Sequence, residues 1–120
     1  MLKRTRPMRK ASKSLCAKKR AQRRAYQDAD IEKEGCCFSC KKWAALDPSH
    51  ILPQGMYKAL RAVAANVVGE CRACHTLWGE HLPEYAAQYP DACREKVARM
   101  EQLSHSGWAL WMMKNDHLLA

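Results

Sequence analysis

Hydrophobic positions recur with helical spacing through the second half of this chain and in short extended runs near its middle. Met56, Leu60 and Val63 follow one another at i, i+4 and i+7, which predicts a helix over residues 55–65. Asp47-Pro48 disfavours helix and predicts extended chain around it. The same reading gives extended segments at residues 43–46, 50–52 and 67–68, and helices over residues 72–81, 83–89 and 91–103.

The first part of the chain is polar and basic. Residues 1–26 carry 11 of the 21 lysines and arginines and no acidic residue, so the net charge of +9 is concentrated there. We expect disorder over residues 1–17 and a helix over residues 18–34, which contain no Gly or Pro. A basic arm suits a polyanion, and we predict contacts with the DNA backbone. A solubility tail, or contact with anionic lipid, is the alternative.

The length of 120 residues suits one domain. We therefore divide the chain into a basic N-terminal arm, residues 1–34, and a folded domain, residues 35–120. No apolar run is long enough for a secretory signal or a membrane span, which predicts a cytoplasmic protein without a membrane partner. The seven cysteines are an odd number and fit a reducing compartment better than a secreted disulfide scaffold.

Four of the cysteines form two C-x-x-C pairs, Cys37 with Cys40 and Cys71 with Cys74. Two such pairs can close a tetrahedral zinc site, and a metal would stabilise a domain with a modest core. We predict a structural Zn²⁺ on these four thiolates. Cys36 adjoins Cys37 and competes with it as a ligand, but only Cys37 has the C-x-x-C spacing to Cys40.

Three further polar residues stand in order around the pairs. His50 lies in Ser-His-Ile-Leu-Pro after the first pair, and Asn66 and His75 flank the second in Asn-Val-Val-x-x-Cys-x-x-Cys-His. From residue 37 to about residue 81 this arrangement resembles the His-Asn-His (HNH) endonuclease family. It is similar in particular to the phage Rap/NinG-type recombination nucleases, which have an Asp three residues before the His, as Asp47 is before His50.

The resemblance implies an α+β fold, in which a small zinc-stapled ββα-metal core carries flanking helices and the basic arm. It implies a metal-dependent DNA endonuclease, phage-encoded and acting in an infected or prophage-bearing bacterial host, with Mg²⁺ or Mn²⁺ at the reaction centre. Asn66 would hydrogen-bond the backbone across the loop and keep His50 in register. A role on branched recombination intermediates would favour a homodimer, because a four-way junction has two-fold symmetry.

Phosphodiester hydrolysis itself suggests the roles of the remaining residues. It needs an activated water and stabilisation of negative charge on the phosphate and on the departing oxygen. His50 suits the general base, because imidazole titrates near neutrality. Asp47 and His75 are candidate ligands for a catalytic divalent cation, since two protein ligands leave positions open for phosphate and water.

Three readings of function follow from these features. The first is the endonuclease, with nonspecific nicking or a packaging role as a variant of it. The second is a zinc-ribbon DNA-binding protein without catalysis, for which His50 would be dispensable. The third is an interaction module whose partner surface is an apolar cluster: Trp108, Leu110, Trp111, Met112 and Met113. The alternatives for this cluster are that it packs over the core or a second subunit, or that it stacks on bases.

Overall fold

The computed structural model describes residues 10–120, with side chains from residue 16 onward. It contains five α-helices and two small antiparallel sheets within this range, the mixture expected of an α+β fold. No helix there is long and apolar enough to cross a bilayer. The elements are α1 (Lys10–Asp28), β1 (Glu34–Cys36), β2 (Trp43–Ala45), β3 (Asp47–His50), β4 (Val67–Glu70), α2 (Arg72–Glu80), α3 (Leu82–Gln88), α4 (Pro90–Leu103) and α5 (His105–Asn115).

Helix α1 differs from the prediction at both ends. It begins at Lys10, so the disorder expected over residues 10–17 is wrong, while the expectation for residues 1–9 lies outside the described residues. It ends at Asp28, six residues before the predicted end, and Asp30 then has a positive φ of 57°. Ala25 near the C-terminal end is only 3% exposed, so α1 packs on the rest of the protein.

Each of the two sheets is one pair of antiparallel strands, and the two pairs differ in the length of the connection between their strands. In the first, β1 pairs with β2, and the turn between them holds Cys37 and Cys40. In the second, β3 pairs with β4 in the register Asp47 opposite Glu70 and His50 opposite Val67, across the long connection of residues 51–66. Helix α2 follows β4 at once, which gives the order strand, strand, helix that the hydrophobic pattern predicted.

The connection between β3 and β4 is where the helix prediction fails. Residues 55–65 form turns with two short 3₁₀ segments, Lys58–Leu60 and Ala64–Asn66, in place of a continuous helix. Two backbone carbonyls that would accept hydrogen bonds within a continuous helix, those of Leu60 and Arg61, accept them here from the side chains of Asn66 and His50. An eleven-residue helix is marginal by itself, so tertiary hydrogen bonds outweigh its apolar period.

Helices α2, α3 and α4 form the apolar core together with Ile51, Leu52 and Val68, and α5 packs against it. The helices predicted over residues 72–81, 83–89 and 91–103 are present, with ends shifted by at most one residue. Trp78 of α2 contacts Tyr85 of α3 edge to face, at 5.2 Å between ring centroids, and stacks on Trp111 of α5 at 6.2 Å. Trp111 therefore contributes to the core, as the packing alternative for this segment requires, while Leu110 and Met113 remain exposed.

Candidate functional site

The four predicted zinc ligands lie together where the first hairpin meets α2. The sulfur atoms of Cys37, Cys40, Cys71 and Cys74 are all within 4.8 Å of one another, and Cys40 Sγ is 3.9 Å from Cys71 Sγ. A tetrahedral zinc with Zn–S bonds near 2.3 Å requires sulfur separations of about 3.8 Å. The cluster therefore fits a structural metal such as zinc. Cys36 is exposed, with its Sγ 3.0 Å from the carbonyl of Lys41 and outside the cluster.

Even without a metal, the surroundings of the cluster favour ionisation of one thiol, that of Cys37. Burial raises the pKa of the Cys37 thiol, but backbone N–H groups, that of Cys71 foremost, outweigh it and bring the pKa to about 7. Burial raises the pKa of Cys40 and of Cys74. Four adjacent thiolates repel one another, so a divalent cation is needed to hold all of them ionised.

A buried polar network behind the cluster was not anticipated from the sequence. Glu70, at the end of β4, forms an ion pair with Lys96 of α4 at 2.8 Å, and both side chains are completely buried. Ser39, between the first two cysteines, hydrogen-bonds Glu70 and also Tyr85, whose hydroxyl is 2.6 Å away. The Lys96 ammonium lies 4.3 Å from the Trp78 ring centroid. Lys96 occupies the apolar face of α4, which is the one signal in the sequence that could have revealed it.

His50 is the last residue of β3 and is half buried. Its Nε2 lies 3.1 Å from the carbonyl oxygen of Arg61. A carbonyl can only accept, so the neutral ring carries its proton on Nε2 and has a free lone pair on Nδ1. Burial lowers the pKa of His50, the Arg61 carbonyl partly opposes this, and the charge of His75 lowers it further. His50 is therefore a neutral imidazole with one basic nitrogen at neutral pH.

Asp47 and His75, the two candidate cation ligands, are brought together from β3 and α2. His75 Nδ1 is 3.3 Å from Asp47 Oδ2, and Arg72 Nε is 3.0 Å from the same oxygen. The 3.3 Å contact between Asp47 and His75 is a hydrogen-bond distance, and the two side chains are 30% and 38% exposed. Carboxylate and imidazole are both possible ligands for a divalent cation.

Asn66 is fully buried and has the cross-loop hydrogen bonds expected of it. Its Oδ1 accepts from the backbone N–H of Leu52 at 2.8 Å, and its Nδ2 donates to the carbonyls of Leu52 at 3.1 Å and Leu60 at 3.3 Å. Leu52 lies two residues after His50, and Leu60 precedes Arg61. Asn66 therefore fixes both ends of the contact that orients the His50 ring, without facing solvent itself.

His50 and His75 line one open cleft of about 440 Å³, together with Gln54 and the indoles of Trp78 and Trp111. The cleft lies between the connection of residues 51–66 and helix α2. His50 and His75 thus share this cleft, and Asp47 reaches it only through its contact with His75.

A comparison of the chain with models of protein families, with curated proteins and with solved structures finds no match to any of them. The class of this site therefore rests on its own residues and their geometry.

Proposed function

We propose that this protein is a metal-dependent HNH DNA endonuclease. The observation that carries the proposal is the environment of His50, whose Nε2 is held by the Arg61 carbonyl so that Nδ1 is free to accept a proton. Asn66 holds the segments on either side of that contact, and Asp47 of the same strand lies beside His75 of α2. A DNA-binding protein without catalysis needs none of these contacts, which favours the nuclease over a zinc ribbon.

In the proposed reaction, His50 Nδ1 removes a proton from a water molecule as its oxygen attacks the phosphorus. The bond from phosphorus to the 3′ oxygen breaks, and the departing oxygen takes a proton from solvent. Asp47 and His75 would hold Mg²⁺ or Mn²⁺, which supplies electrostatic stabilisation to the phosphate and the leaving oxygen. The four cysteines would hold zinc for structure and take no part in the reaction.

The charge distribution supports DNA as the substrate. Five basic side chains of α1 are exposed, and none of them forms an ion pair with any residue that the structure describes: Lys18, Lys19, Arg20, Arg23 and Arg24. Each lysine or arginine that meets a phosphate releases condensed counterions. No described element presents a clear base-reading surface, so we propose recognition of the backbone with little sequence preference.

The resemblance to the Rap/NinG-type nucleases extends the proposal to its setting. A phage protein that cuts branched recombination intermediates in the cytoplasm of its bacterial host would use two copies, one for each symmetric strand. Nonspecific nicking or a packaging role requires only the single site. Preference for a four-way junction over linear duplex, with dimers at the working concentration, would favour the recombination role.

The test is cleavage of supercoiled plasmid and of a labelled four-way junction by the native chain and by His50→Ala, with Mg²⁺ or Mn²⁺ and with EDTA. We expect cation-dependent cutting that falls by about 10²–10⁴-fold in His50→Ala, the contribution typical of a general base. His117→Ala is the matched control, because His117 is exposed and lies outside the cleft. Equal DNA binding without cutting by any of the proteins would instead establish the non-catalytic alternative.

A further inference from the structure

Helix α1 contacts the cleft at the candidate catalytic histidine. The ring of Tyr26 lies edge to face with the His50 ring, at 6.2 Å between centroids and 69° between planes. One turn earlier, Gln22 Nε2 donates to Gln54 Oε1 at 2.9 Å, and Gln54 lines the cleft. Ala25, between these two residues, is 3% exposed. The last two turns of α1 therefore lie beside His50.

The two faces of α1 are chemically different. Gln22, Ala25 and Tyr26 follow one another at i, i+3 and i+4, so they share the face that contacts the cleft. Arg20, Arg23 and Arg24 have the same spacing on the opposite face, and all three are exposed. One face therefore attaches the helix to the cleft while the other presents guanidinium groups that suit phosphate oxygens.

We propose that α1 links DNA binding to cleavage. The face of α1 that carries Arg20, Arg23 and Arg24, the arginine face, binds the phosphate backbone of the DNA next to the cut, and Tyr26 is a positioning residue for His50. This inference rests on the proposed function and adds to it how the basic arm and the base cooperate. The two roles lie on opposite faces of α1, so the arginines would bind the duplex that flanks the cut, while Tyr26 restrains the imidazole at the cut itself.

The physical argument for Tyr26 is that one hydrogen bond does not fix an imidazole. The Nε2 contact with the Arg61 carbonyl restrains one edge of the ring, but the ring can still rotate about that contact. The edge-to-face contact with the Tyr26 ring removes this freedom. Displacing a reacting group by 1 Å costs on the order of 10²-fold in rate.

The test separates binding from the chemical step. Kd is measured by fluorescence anisotropy on a labelled duplex in Ca²⁺, and the single-turnover rate is measured at saturating DNA in Mg²⁺. We expect Tyr26→Ala to lower that rate by about 10–100-fold, with Kd changed less than about twofold. Tyr26→Phe keeps the ring edge and should restore the rate to within about threefold of native.

Replacing Arg20, Arg23 and Arg24 together by Gln should raise Kd at least tenfold and reduce the slope of log K against log salt by about 2–3, as expected for three lost phosphate contacts. Arg94→Gln on α4 is the charge control and should leave the slope within about 0.5 of native. Thermal melts and zinc content identify any variant that fails to fold.

Three outcomes would overturn the inference. These are a native rate in Tyr26→Ala, a Tyr26→Phe rate as low as that of a folded Tyr26→Ala, or a native salt slope in the triple arginine variant. Failure of the native chain itself to cut would sink the proposed nuclease instead, and the salt slope would still report whether the arginine face binds DNA.

Discussion

The cysteine cluster and the pair of Asp47 and His75 are neighbouring sites with opposite designs. Cys37 and Cys74 are each 1% exposed, and four soft thiolates leave no position free at a tetrahedral metal. Asp47 and His75 are about one third exposed and offer one oxygen and one nitrogen donor. Under the proposed function, the closed site would hold the fold together while the open one beside it would remain accessible to phosphate and water.

One helix serves both sites, which makes the comparison testable. Cys71 immediately precedes α2, Cys74 lies in its first turn, and His75 is the next residue. The backbone N–H of His75 donates to the carbonyl of Cys71 at 2.9 Å. Loss of the structural metal should therefore disturb both sites, whereas loss of the catalytic cation should leave the fold intact.

The largest expected effect is on folding. Cys71→Ser should abolish zinc binding and unfold the domain, because the binding free energy of a structural zinc is about 10–16 kcal/mol and forms part of the folding free energy. Zinc content and a circular-dichroism melt provide the measurement. Cys36→Ser is the matched control, since Cys36 is exposed and lies outside the cluster. A cooperative native-like melt in Cys71→Ser would remove the cluster from its structural role.

A smaller effect is expected at Asn66, which supports the His50 segment through hydrogen bonds to Leu52 and Leu60. Asn66→Ala leaves the backbone groups of Leu52 without partners in a buried position, and we expect a loss of about 1–3 kcal/mol in the free energy of unfolding. Cleavage should fall by about 10–100-fold because the His50 segment shifts, while zinc is retained. Asn115→Ala is the control, as it removes one amide hydrogen bond within α5. Zinc loss in Asn66→Ala would contradict the separation of the two sites.

The smallest expected effect concerns Arg72, whose Nε forms an ion pair with Asp47 Oδ2 at 3.0 Å. The Arg72 side chain is 81% exposed. A cation that binds Asp47 must compete with this guanidinium. Surface ion pairs contribute about 0.2–1 kcal/mol, so Arg72→Gln should tighten Mn²⁺ binding by up to about fivefold. Titration of Mn²⁺ by electron paramagnetic resonance, without DNA, measures this directly. Arg94→Gln, which removes the exposed pair with Asp91, should leave Mn²⁺ binding unchanged, and weaker binding in Arg72→Gln would argue against Asp47 as a ligand.

The sequence predicted those parts of the molecule that depend on local signals. The C-x-x-C spacings predicted that four sulfurs lie together, and the helix expected from residue 72 is present as Arg72–Glu80, beginning within the second pair. The connection of residues 51–66 was not predictable in the same way. Its apolar period indicates a helix, but its conformation is set by hydrogen bonds from Asn66 and His50, which are distant contacts that periodicity does not encode.

Two other features could not be predicted from the sequence, because they also depend on contacts between residues far apart in the chain. The partner of Glu70 is Lys96, 26 residues away, and only the folded chain places the two charges in contact. Tyr26 lies in a segment whose composition indicates a basic arm, yet its ring packs on His50. Residues that support a site through tertiary contacts carry no spacing motif, so they become visible only in the folded chain.

The most direct test of the central claim is to measure zinc content and plasmid cleavage on the same sample, before and after dialysis against metal-free buffer and after Mg²⁺ is added back. The account predicts that zinc stays bound throughout, that cutting is lost on dialysis, and that Mg²⁺ restores it. Cutting that persists without Mg²⁺ and rises or falls with zinc content would contradict the account, because the cysteine cluster would then be the reaction centre.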